Sequence, residues 1–399
     1  MSGNVELPVY LDHNATTPPL PAVVAEMLDV LQRVWANPSS THAAGQAARG
    51  VLADARLRVA RFLGCQPAEV VFTSGATEAN HMAVQGALAA RPERRRLLLS
   101  AVEHPGLLAL ARRLQDEGAA EVALIPVDRN GRLDLHAARA LMGLDVALVS
   151  VMGANNETGV LQPIAEVAAL ARACDAWMHV DATQLAGKAP LNFADSGVQM
   201  MSVSAHKLGG PKGVGALLLR KGLALPPLLS GRQERQRRGG TENLPGIVGF
   251  AAACDQAGRT LAQQIVVLWS LRDRLERGLL QALPQVHVYG AGAERLANTS
   301  CLRFGELPAE QVLDRLERAG VLASSGAACS AGGTQPSHVL LAMGESPQRA
   351  RMGVRLSLGL HTTPVDIAHT LRAAVQALSP LLQVQPALPQ EQPLAESTP

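Results

Sequence analysis

Three polar side chains that could do chemistry together follow one apolar stretch of the chain. Ser204, His206 and Lys207 come after residues 200–203, and a glycine-rich turn follows them. A lysine at the mouth of a buried strand can lose its proton because burial disfavours its charge, and a neutral lysine can form a Schiff base. The hydroxyl and the imidazole beside it could hold a phosphate group. This motif alone is equally compatible with a surface lysine on a β-turn.

A second motif places an aspartate at the end of another apolar run. Asp181 follows residues 177–180, so we expect it at the end of a buried strand. A buried carboxylate needs a cationic partner, and the protonated ring nitrogen of pyridoxal phosphate is one such partner. On its own, Asp181 could equally cap the next helix.

Three further turns carry groups that suit a phosphate or an aromatic ring. In residues 73–80, a small-residue turn leads into a helix, where backbone N–H groups around Ala76 and the hydroxyl of Thr77 could bind phosphate. His104 could stack on an aromatic cofactor and move protons, and Asn155 could donate a hydrogen bond to a cofactor hydroxyl. Each motif alone is compatible with ordinary turn or capping chemistry. Their shared position after successive strands favours a single site.

These motifs need a frame that brings strand ends together. Short apolar runs predict strands at residues 69–73, 96–100, 121–127, 146–152, 177–180, 200–204 and 214–219. Helical patterns lie between several of them, at residues 46–63, 78–91 and 164–174. This alternation is typical of an α/β fold with a mostly parallel seven-stranded sheet flanked by helices. Ligands of such sheets bind at the carboxyl ends of the strands.

The pattern changes after about residue 256, which predicts a smaller α+β domain. Helices are predicted at residues 260–283, 308–319 and 364–382, with strands at 286–289 and 300–304. We therefore expect an N-terminal segment (1–15) that packs with the small domain, a large domain (16–256) and a small domain (257–382). The proline-rich stretch 383–399 has no periodicity, and we expect it to be disordered.

The composition excludes several classes of protein. The 399 residues are 47% hydrophobic and 18% charged with a net charge of +2, which is ordinary globular usage and gives no electrostatic argument for a nucleic-acid or membrane partner. No apolar stretch reaches the ~20 residues of a membrane span, and the start lacks a signal peptide. The five cysteines form no zinc-type spacing, so we expect no metal site, free thiols and a cytoplasmic location.

Nearly the whole chain, to about residue 382, resembles the cysteine desulfurases, which are fold-type I pyridoxal-phosphate enzymes of the aminotransferase class V group. The resemblance rests on the motifs at residues 10–18, 37–42, 73–80, 103–105, 155–159, 180–184, 204–207, 238–243 and 324–329. The Arg-Gly-Gly-Thr-Glu-Asn sequence at 238–243 is more similar to the NifS type, which supplies sulfur for nitrogenase clusters, than to the IscS type.

The resemblance implies a role for each matching residue. Lys207 would bind pyridoxal phosphate covalently, Asp181 would pair with the pyridine nitrogen, and His104 would stack on the ring. Gln184 and Asn155 would form hydrogen bonds in the region of the ring hydroxyl. The phosphate would be held by Ala76, Thr77, Ser204, Ala205 and His206, and by Thr241 of the neighbouring subunit, which implies a homodimer. Arg355, with Asn155 nearby, would bind the substrate carboxylate. The residues after it, Leu358-Gly359-Leu360-His361, differ from the Gly-Arg-Phe that family members often carry.

Cys329 decides between sulfur chemistry and other reactions of this family. It lies among ten small residues at 324–333, and the resemblance makes it the nucleophile that takes sulfur from L-cysteine as a persulfide, for transfer to an iron–sulfur scaffold or other acceptor. Cys65, Cys174, Cys254 and Cys301 are interpreted as small buried hydrophobic residues. The alternatives are a selenocysteine lyase, a class V aminotransferase, or a non-catalytic sulfur-relay scaffold, and retention of Lys207, Asp181, His104 and Cys329 argues against the scaffold.

Overall fold

The computed structural model describes residues 8–326 and 335–384. Its helices are α1 (Pro21–Arg33), α2 (Ala43–Leu63), α3 (Ala76–Ala90), α4 (Pro105–Asp116), α5 (Leu135–Leu141), α6 (Ile164–Ala173), α7 (Gln233–Gln236), α8 (Leu244–Ala282), α9 (Ala309–Arg318), α10 (His338–Ala342) and α11 (Pro364–Leu382). Its strands are β1 (Val9–Tyr10), β2 (Val70–Thr73), β3 (Arg96–Ser100), β4 (Glu121–Ile125), β5 (Val146–Met152), β6 (Trp177–Asp181), β7 (Met200–Ser204), β8 (Gly215–Leu219), β9 (Val286–Tyr289), β10 (Thr299–Phe304), β11 (Val321–Leu322), β12 (Ser324–Ser325) and β13 (Val354–Ser357). None of these helices combines the length and the apolar content that crossing a membrane requires.

A seven-stranded sheet forms the centre of the larger part of the described chain. Its strand order is β2-β8-β7-β6-β5-β3-β4, and neighbours from β7 to β4 run parallel, while β8 is antiparallel to both β2 and β7. All seven predicted strands are present; the largest difference is at β4, which was predicted to residue 127 and ends at Ile125. The predicted α/β class with a mostly parallel sheet is confirmed.

Helices cover both faces of this sheet because successive strand residues point to opposite sides. On β3, Leu97 and Leu99 pack with apolar residues of α3 and α4, whereas Leu98 packs into the cluster that contains residues of α2 and α8. Every residue of β5 is buried, as expected for a central strand with both faces covered. Because both faces of the sheet are covered, the polar groups at the strand ends lie at the edge formed by those ends.

A second sheet, β12-β13-β10-β9, is antiparallel and has its own apolar cluster with α9 and α11. The N-terminal strand β1 pairs in parallel with β11, and Leu11 belongs to this second cluster. Strand β13 was not predicted from the sequence, although it carries Arg355.

Helix α8 passes from the first apolar cluster to the second. Residues Leu244 to Ala257 contribute to the first cluster and residues Leu271 to Ala282 to the second. The sequence predicted this helix from residue 260, whereas the structure begins it at Leu244, capped by Asn243 Oδ1, which accepts a hydrogen bond from Gly246 N. The first turns are apolar nearly all round because they are buried, so they lack the one-sided pattern that indicates a surface helix.

Candidate active site

Asp181 lies at the carboxyl end of β6 and is almost fully buried. Asn80 Nδ2 on α3 donates a hydrogen bond of 2.8 Å to its Oδ2, and Thr183 N donates one of 3.0 Å to its Oδ1. Both donors are neutral. A buried carboxylate held in this way is suited to a cationic hydrogen-bond donor at the sheet edge.

Lys207 lies in a short 3-10 turn that directly follows β7. Its Nζ donates to the backbone carbonyls of Asn14 (2.5 Å) and Ala15 (2.8 Å), so the N-terminal segment crosses the end of the sheet at this lysine. The neighbouring His206 lies 3.1 Å, Nδ1 to Oγ1, from Thr16. Burial, aided by the charge of Lys207, lowers the pKa of His206 to about 4, so this imidazole is neutral at pH 7.

The turn between β2 and α3 forms a cradle beside Ser204. Gly75 has φ 156° and ψ 179°, a conformation that is essentially reserved for glycine, and α3 begins immediately after it at Ala76. No side chain of the described residues caps this helix, so its first N–H groups face outward. A Cβ added to Gly75 would lie 3.8 Å from Ser204 Oγ. The start of α3 at Ala76 and Thr77 therefore lies beside the end of β7 at Ser204, which the buried Ala205 follows, and a helix N-terminus of this kind suits an anion.

His104 caps α4, with its Nδ1 accepting a hydrogen bond of 3.1 Å from Gly106 N. Burial lowers the pKa of His104; the charge of Asp181 opposes this shift and the charge of Lys207 reinforces it. His104 thus interacts electrostatically with the two residues that the sequence placed in the same site.

The side chains of Asn155 and Gln184 are both buried and both hold neighbouring chain segments. Asn155 Oδ1 accepts hydrogen bonds from the backbone of Glu157 and Thr158 (2.9 Å each), and its Nδ2 donates to Val102 O (3.1 Å). Gln184 Nε2 donates to Asn14 O at 3.0 Å. In this structure the two amides stabilise the walls of the site.

Arg355 lies on β13 and is also buried. Its guanidinium donates to Asp12 Oδ1 (2.6 Å) and to the carbonyl of Asn156 (3.0 Å), while its Nε has no hydrogen-bond partner among the described residues. An unpartnered buried N–H is costly, and a bound carboxylate would satisfy it.

Asn14 connects Arg355 to Lys207. The Asn14 carbonyl accepts from Lys207, and Asn14 Nδ2 donates at 3.3 Å to Asn156 O, the same carbonyl that binds Arg355. The Lys207 amine and the Arg355 guanidinium are thus linked through one residue, Asn14, and its hydrogen bonds.

One predicted residue is outside this cluster. Thr241 is exposed and borders a groove with Thr73 and Ser74 on the outer side of the β2–α3 turn. Cys329 is outside the described residues.

The thiols of Cys254 and Cys301 are buried as expected, but Cys65 and Cys174 are only half-buried, since each follows the end of a helix. Burial raises the pKa of Cys65 to about 12 and also raises those of Cys254 and Cys301, so these three are poor nucleophiles at neutral pH.

Comparison with known proteins identifies the family. The model for "Aminotransferase class-V" matches residues 9–369. The chain belongs to the class-V aminotransferase family. It is 44% identical over 380 residues to a cysteine desulfurase of Cereibacter sphaeroides, covering 95% of this chain and 97% of the relative. It is 42% identical to the cysteine desulfurase NifS of Azotobacter vinelandii, covering 95% and 94%. A solved structure of a NifS-like protein superposes with a TM-score of 0.88 at 33% identity, covering 94% of this chain and all of that one.

These matches confirm the resemblance, the fold-type I architecture and the cofactor class. The protein is a pyridoxal-phosphate-dependent enzyme of the cysteine desulfurase type. Two structural features of the described residues fit this cofactor. Asp181 is a buried carboxylate whose hydrogen-bond donors, Asn80 and Thr183, are both neutral, so it can still pair with a protonated ring nitrogen. The start of α3 beside Ser204 has no side-chain cap and can bind a phosphate.

Sequence reasoning did not find several residues that shape the site. Lys188 donates to Asn14 Oδ1 (2.8 Å) and Gln184 Oε1 (2.5 Å), and burial together with the charges of Lys207 and Arg355 holds its pKa well below the ordinary value. Its spacing of four residues from Gln184 was an available signal. The contacts of Asp12 and Asn14 had no local signal, since their partners lie hundreds of residues away.

Proposed function

We propose that this enzyme converts L-cysteine to L-alanine in the cytoplasm and passes the sulfur, as a persulfide on Cys329, to an acceptor for iron–sulfur cluster assembly. The observation that supports the proposal is the hydrogen-bonded link through Asn14, which joins Lys207 to the carbonyl that binds Arg355, whose buried Nε has no partner among the described residues. The named cysteine desulfurase relatives support the substrate. The NifS relative supports a role in nitrogenase maturation.

In this proposal the residues divide the work between binding and proton transfer. Arg355 binds the substrate carboxylate through its guanidinium. Asp181 keeps the ring nitrogen of the cofactor protonated. When bound, pyridoxal phosphate supplies the electron sink that makes the Cα proton acidic. Lys207 Nζ accepts that proton, and His104, which is neutral at pH 7 because burial lowers its pKa, assists the later proton return.

The sulfur step balances without an external oxidant. The Cys329 thiolate attacks the substrate sulfur, an S–S bond forms and the Cβ–S bond breaks. Its electron pair goes to the carbon product, which takes up a proton to become the methyl group of alanine. The sum is one L-cysteine and one Cys329 thiol giving one L-alanine and one Cys329 persulfide. The raised pKa values of Cys65, Cys254 and Cys301 favour Cys329 as the thiolate.

The deciding experiment compares the purified wild type with Cys329→Ala, supplied with L-cysteine and a thiol reductant. We expect equimolar sulfide and alanine from the wild type, and neither from the variant, with the absorbance of the bound cofactor retained in both. Wild-type enzyme that binds the cofactor without releasing sulfide would favour the aminotransferase or scaffold alternative.

We further propose that the enzyme is a homodimer in which Thr241 reaches the partner's cofactor phosphate. One face of α1 is apolar and exposed, and it continues past the helix end to Trp35, which is 80% exposed. The exposed members of this face are Val24, Leu28, Leu31 and Trp35. Leu31 and Trp35 border a second groove that Thr241 also lines, distinct from the groove that it shares with Thr73 and Ser74. Large apolar surface rimmed by functional loops is typical of an interface.

The dimer is tested by light scattering coupled to size-exclusion chromatography. We expect twice the chain mass for the wild type and a monomer with weakened cofactor binding for Leu31→Asp/Trp35→Asp. A variant that stays dimeric with normal cofactor affinity would move the interface elsewhere.

A further inference from the structure

Glu157 is a buried carboxylate in the connection between β5 and α6, and the sequence analysis assigned it no role. Only 2% of the residue is exposed. Its Oε2 accepts a hydrogen bond of 2.6 Å from Ser337 Oγ. On the other side, a Cβ added to Gly326 would lie 2.2 Å from the same Oε2, so the backbone of Gly326 packs directly against the carboxylate. One carboxylate thus contacts a residue on each side of segment 327–334, which contains Cys329.

The turn that carries Glu157 also carries the contacts of the substrate arginine. Asn155 Oδ1 fixes the backbone N–H of Glu157 at 2.9 Å, and the carbonyl of Asn156 binds Arg355 at 3.0 Å. Ser324, two residues before Gly326, is the β-sheet partner of Arg355. The arginine and the flanks of the cysteine segment are therefore positioned by one stretch of three residues.

Both flanks have additional backbone hydrogen bonds that hold them in position beside Glu157. Gly326 N donates to Gly353 O at 3.3 Å, and Ser337 N donates to Ala350 O at 3.0 Å. Next to Ser337, His338 Nε2 lies 2.9 Å from the carbonyl of Glu103, the residue before His104. The flank after Cys329 is thus attached to the wall that carries the ring-stacking histidine.

The side chain of Glu157 makes no described hydrogen bond to a residue assigned to the cofactor. Its carboxylate accepts from Ser337, the charges that act on it come from His338 and Arg355, and only its backbone N–H is bonded to Asn155, which is also assigned to the cofactor. Burial raises its pKa, and the hydrogen bond from Ser337 opposes that shift. A carboxylate whose contacts go to both flanks of the nucleophile segment, and not to the residues assigned to the cofactor, is placed to act on the sulfur step.

We infer that Glu157 is a positioning residue for sulfur transfer: it holds Gly326 and Ser337 against the Asn155–Asn156 turn and so fixes the flanks of the Cys329 segment relative to Arg355. This inference rests on the proposed function, in which the Cys329 thiolate attacks the sulfur of a substrate held by Arg355. Because a misplacement of the reacting atoms by about 1 Å can slow a reaction about 100-fold, a loosened flank would slow that step.

The test separates sulfur transfer from cofactor chemistry by using two substrates. L-Cysteine requires the thiolate of Cys329. β-Chloro-L-alanine requires only removal of the Cα proton, since chloride leaves Cβ with its electron pair, and water then converts the remainder to pyruvate and ammonium. The variants are Glu157→Gln, Gly326→Ala, which pushes a methyl group into the carboxylate, and Ser337→Ala. Ser346→Ala is the matched control. Ser346 Oγ accepts a hydrogen bond from a backbone N–H, as Ser337 Oγ does, but Ser346 is exposed and its side chain has no described hydrogen bond to Glu157.

We expect kcat for sulfide release to fall roughly 10- to 100-fold in Glu157→Gln and Gly326→Ala, by the cost of misplacing reacting groups. Ser337→Ala should show a smaller loss and the control none. Turnover of β-chloro-L-alanine, cofactor absorbance and KM for L-cysteine should stay within about twofold of wild type.

Equal losses with both substrates would overturn the inference, because Glu157 would then serve Arg355 or the fold as a whole. Unchanged sulfide release in both Glu157→Gln and Gly326→Ala would overturn it as well. Cys329→Ala is the reference: it should lose sulfide release and keep elimination. If the wild type itself releases no sulfide while eliminating chloride, the proposed function fails before any Glu157 variant is compared.

Discussion

The two sides of the active site are built in different ways. On the side proposed to bind the cofactor, each group lies at the end of a strand of one sheet or in the turn after it, as Asp181 does at the end of β6 and Lys207 after β7. On the substrate side, Arg355 pairs with Asp12 across 343 residues of chain and with Asn156 across 199. The first side follows from the sheet alone, whereas the second forms only when the N-terminal segment and β13 meet at the sheet edge.

Lys207 belongs to both sides, because it follows β7 and contacts the N-terminal segment through Asn14 and Ala15. We expect Lys207→Ala to have the largest effect, a loss of about 10³-fold or more in kcat for both L-cysteine and β-chloro-L-alanine, since it removes the proposed proton acceptor of both reactions. The absorbance of covalently bound cofactor should disappear. Steady-state assays and spectra of the same preparation measure this. Residual turnover within tenfold of wild type would assign the proton transfer to another group.

Removing the long-range ion pair of the substrate side should lower the free energy of unfolding. Asp12→Asn leaves Arg355 buried without its carboxylate partner; the side chains of the pair are 3% and 20% exposed. Losing one partner of such a pair costs about 3 kcal/mol of unfolding free energy. Denaturant titration measures it. Asp314→Asn is the control, because its pair with Arg318 is exposed and is worth at most about 1 kcal/mol. Equal losses of unfolding free energy in the two variants would mean that the Asp12–Arg355 pair does not hold the N-terminal segment to β13.

The same difference explains how much the sequence could predict. Strand ends carry local signals, so the seven strands and the positions of His104, Asp181 and Lys207 on them follow from apolar runs. Strand β13 is only four residues long and interrupts no periodic pattern, so Arg355 was assigned through resemblance alone. The roles of Glu157 and Asn14 depend on partners 180 and 193 residues away, which no local pattern encodes.

Local strain was equally invisible to the sequence. Glu234, Arg235 and Gln236 all have positive φ, between 46° and 64°, although none is a glycine. The structure compensates because buried Glu234 accepts hydrogen bonds from Arg56 and from Phe72 N on β2. Glu234 thus attaches the basic residues that follow it, Arg235, Arg237 and Arg238, to the strand that leads into the turn before α3.

Acid should weaken the cofactor side through a buried histidine in the same sheet. His179 on β6 lies 2.9 Å from Ser150 Oγ and 2.8 Å from Ser202 Oγ, and burial lowers its pKa to about 4. The unfolded chain binds this proton near pH 6.5, so the stabilisation is complete above pH 6.5 and is lost as the pH falls towards 4.

For one such histidine the loss is about 2 kcal/mol between pH 7 and pH 5. Urea titrations at both pH values should therefore show a smaller acid-induced decrease for His179→Gln than for the wild type. His13 and His206, whose pKa values burial also lowers to about 4, contribute with the same sign in both proteins. An unchanged difference between the two pH values would show that His179 keeps its ordinary affinity for protons.

The smallest expected effect comes from an ion pair that supports the cofactor side from outside the site. Arg238 Nε donates to Glu78 Oε1 at 2.7 Å, and Glu78 Oε2 accepts from Ser74 N at 2.8 Å in the phosphate turn. Burial raises the pKa of Glu78, but the hydrogen bonds from Arg238 and Ser74 outweigh it and leave the pKa below its ordinary value. The carboxylate is thus charged and holds the turn in place.

We expect Arg238→Gln to weaken pyridoxal-phosphate affinity about tenfold, or ~1.4 kcal/mol, while KM for L-cysteine at saturating cofactor stays unchanged. Titration of cofactor into the apoenzyme, followed by absorbance, measures the first quantity. Arg113→Gln is the matched control, because its pair with Glu117 on α4 is half exposed. A rise in KM without loss of cofactor affinity would mean that the two sides of the site are not independent, because a change in the phosphate turn would then reach Arg355.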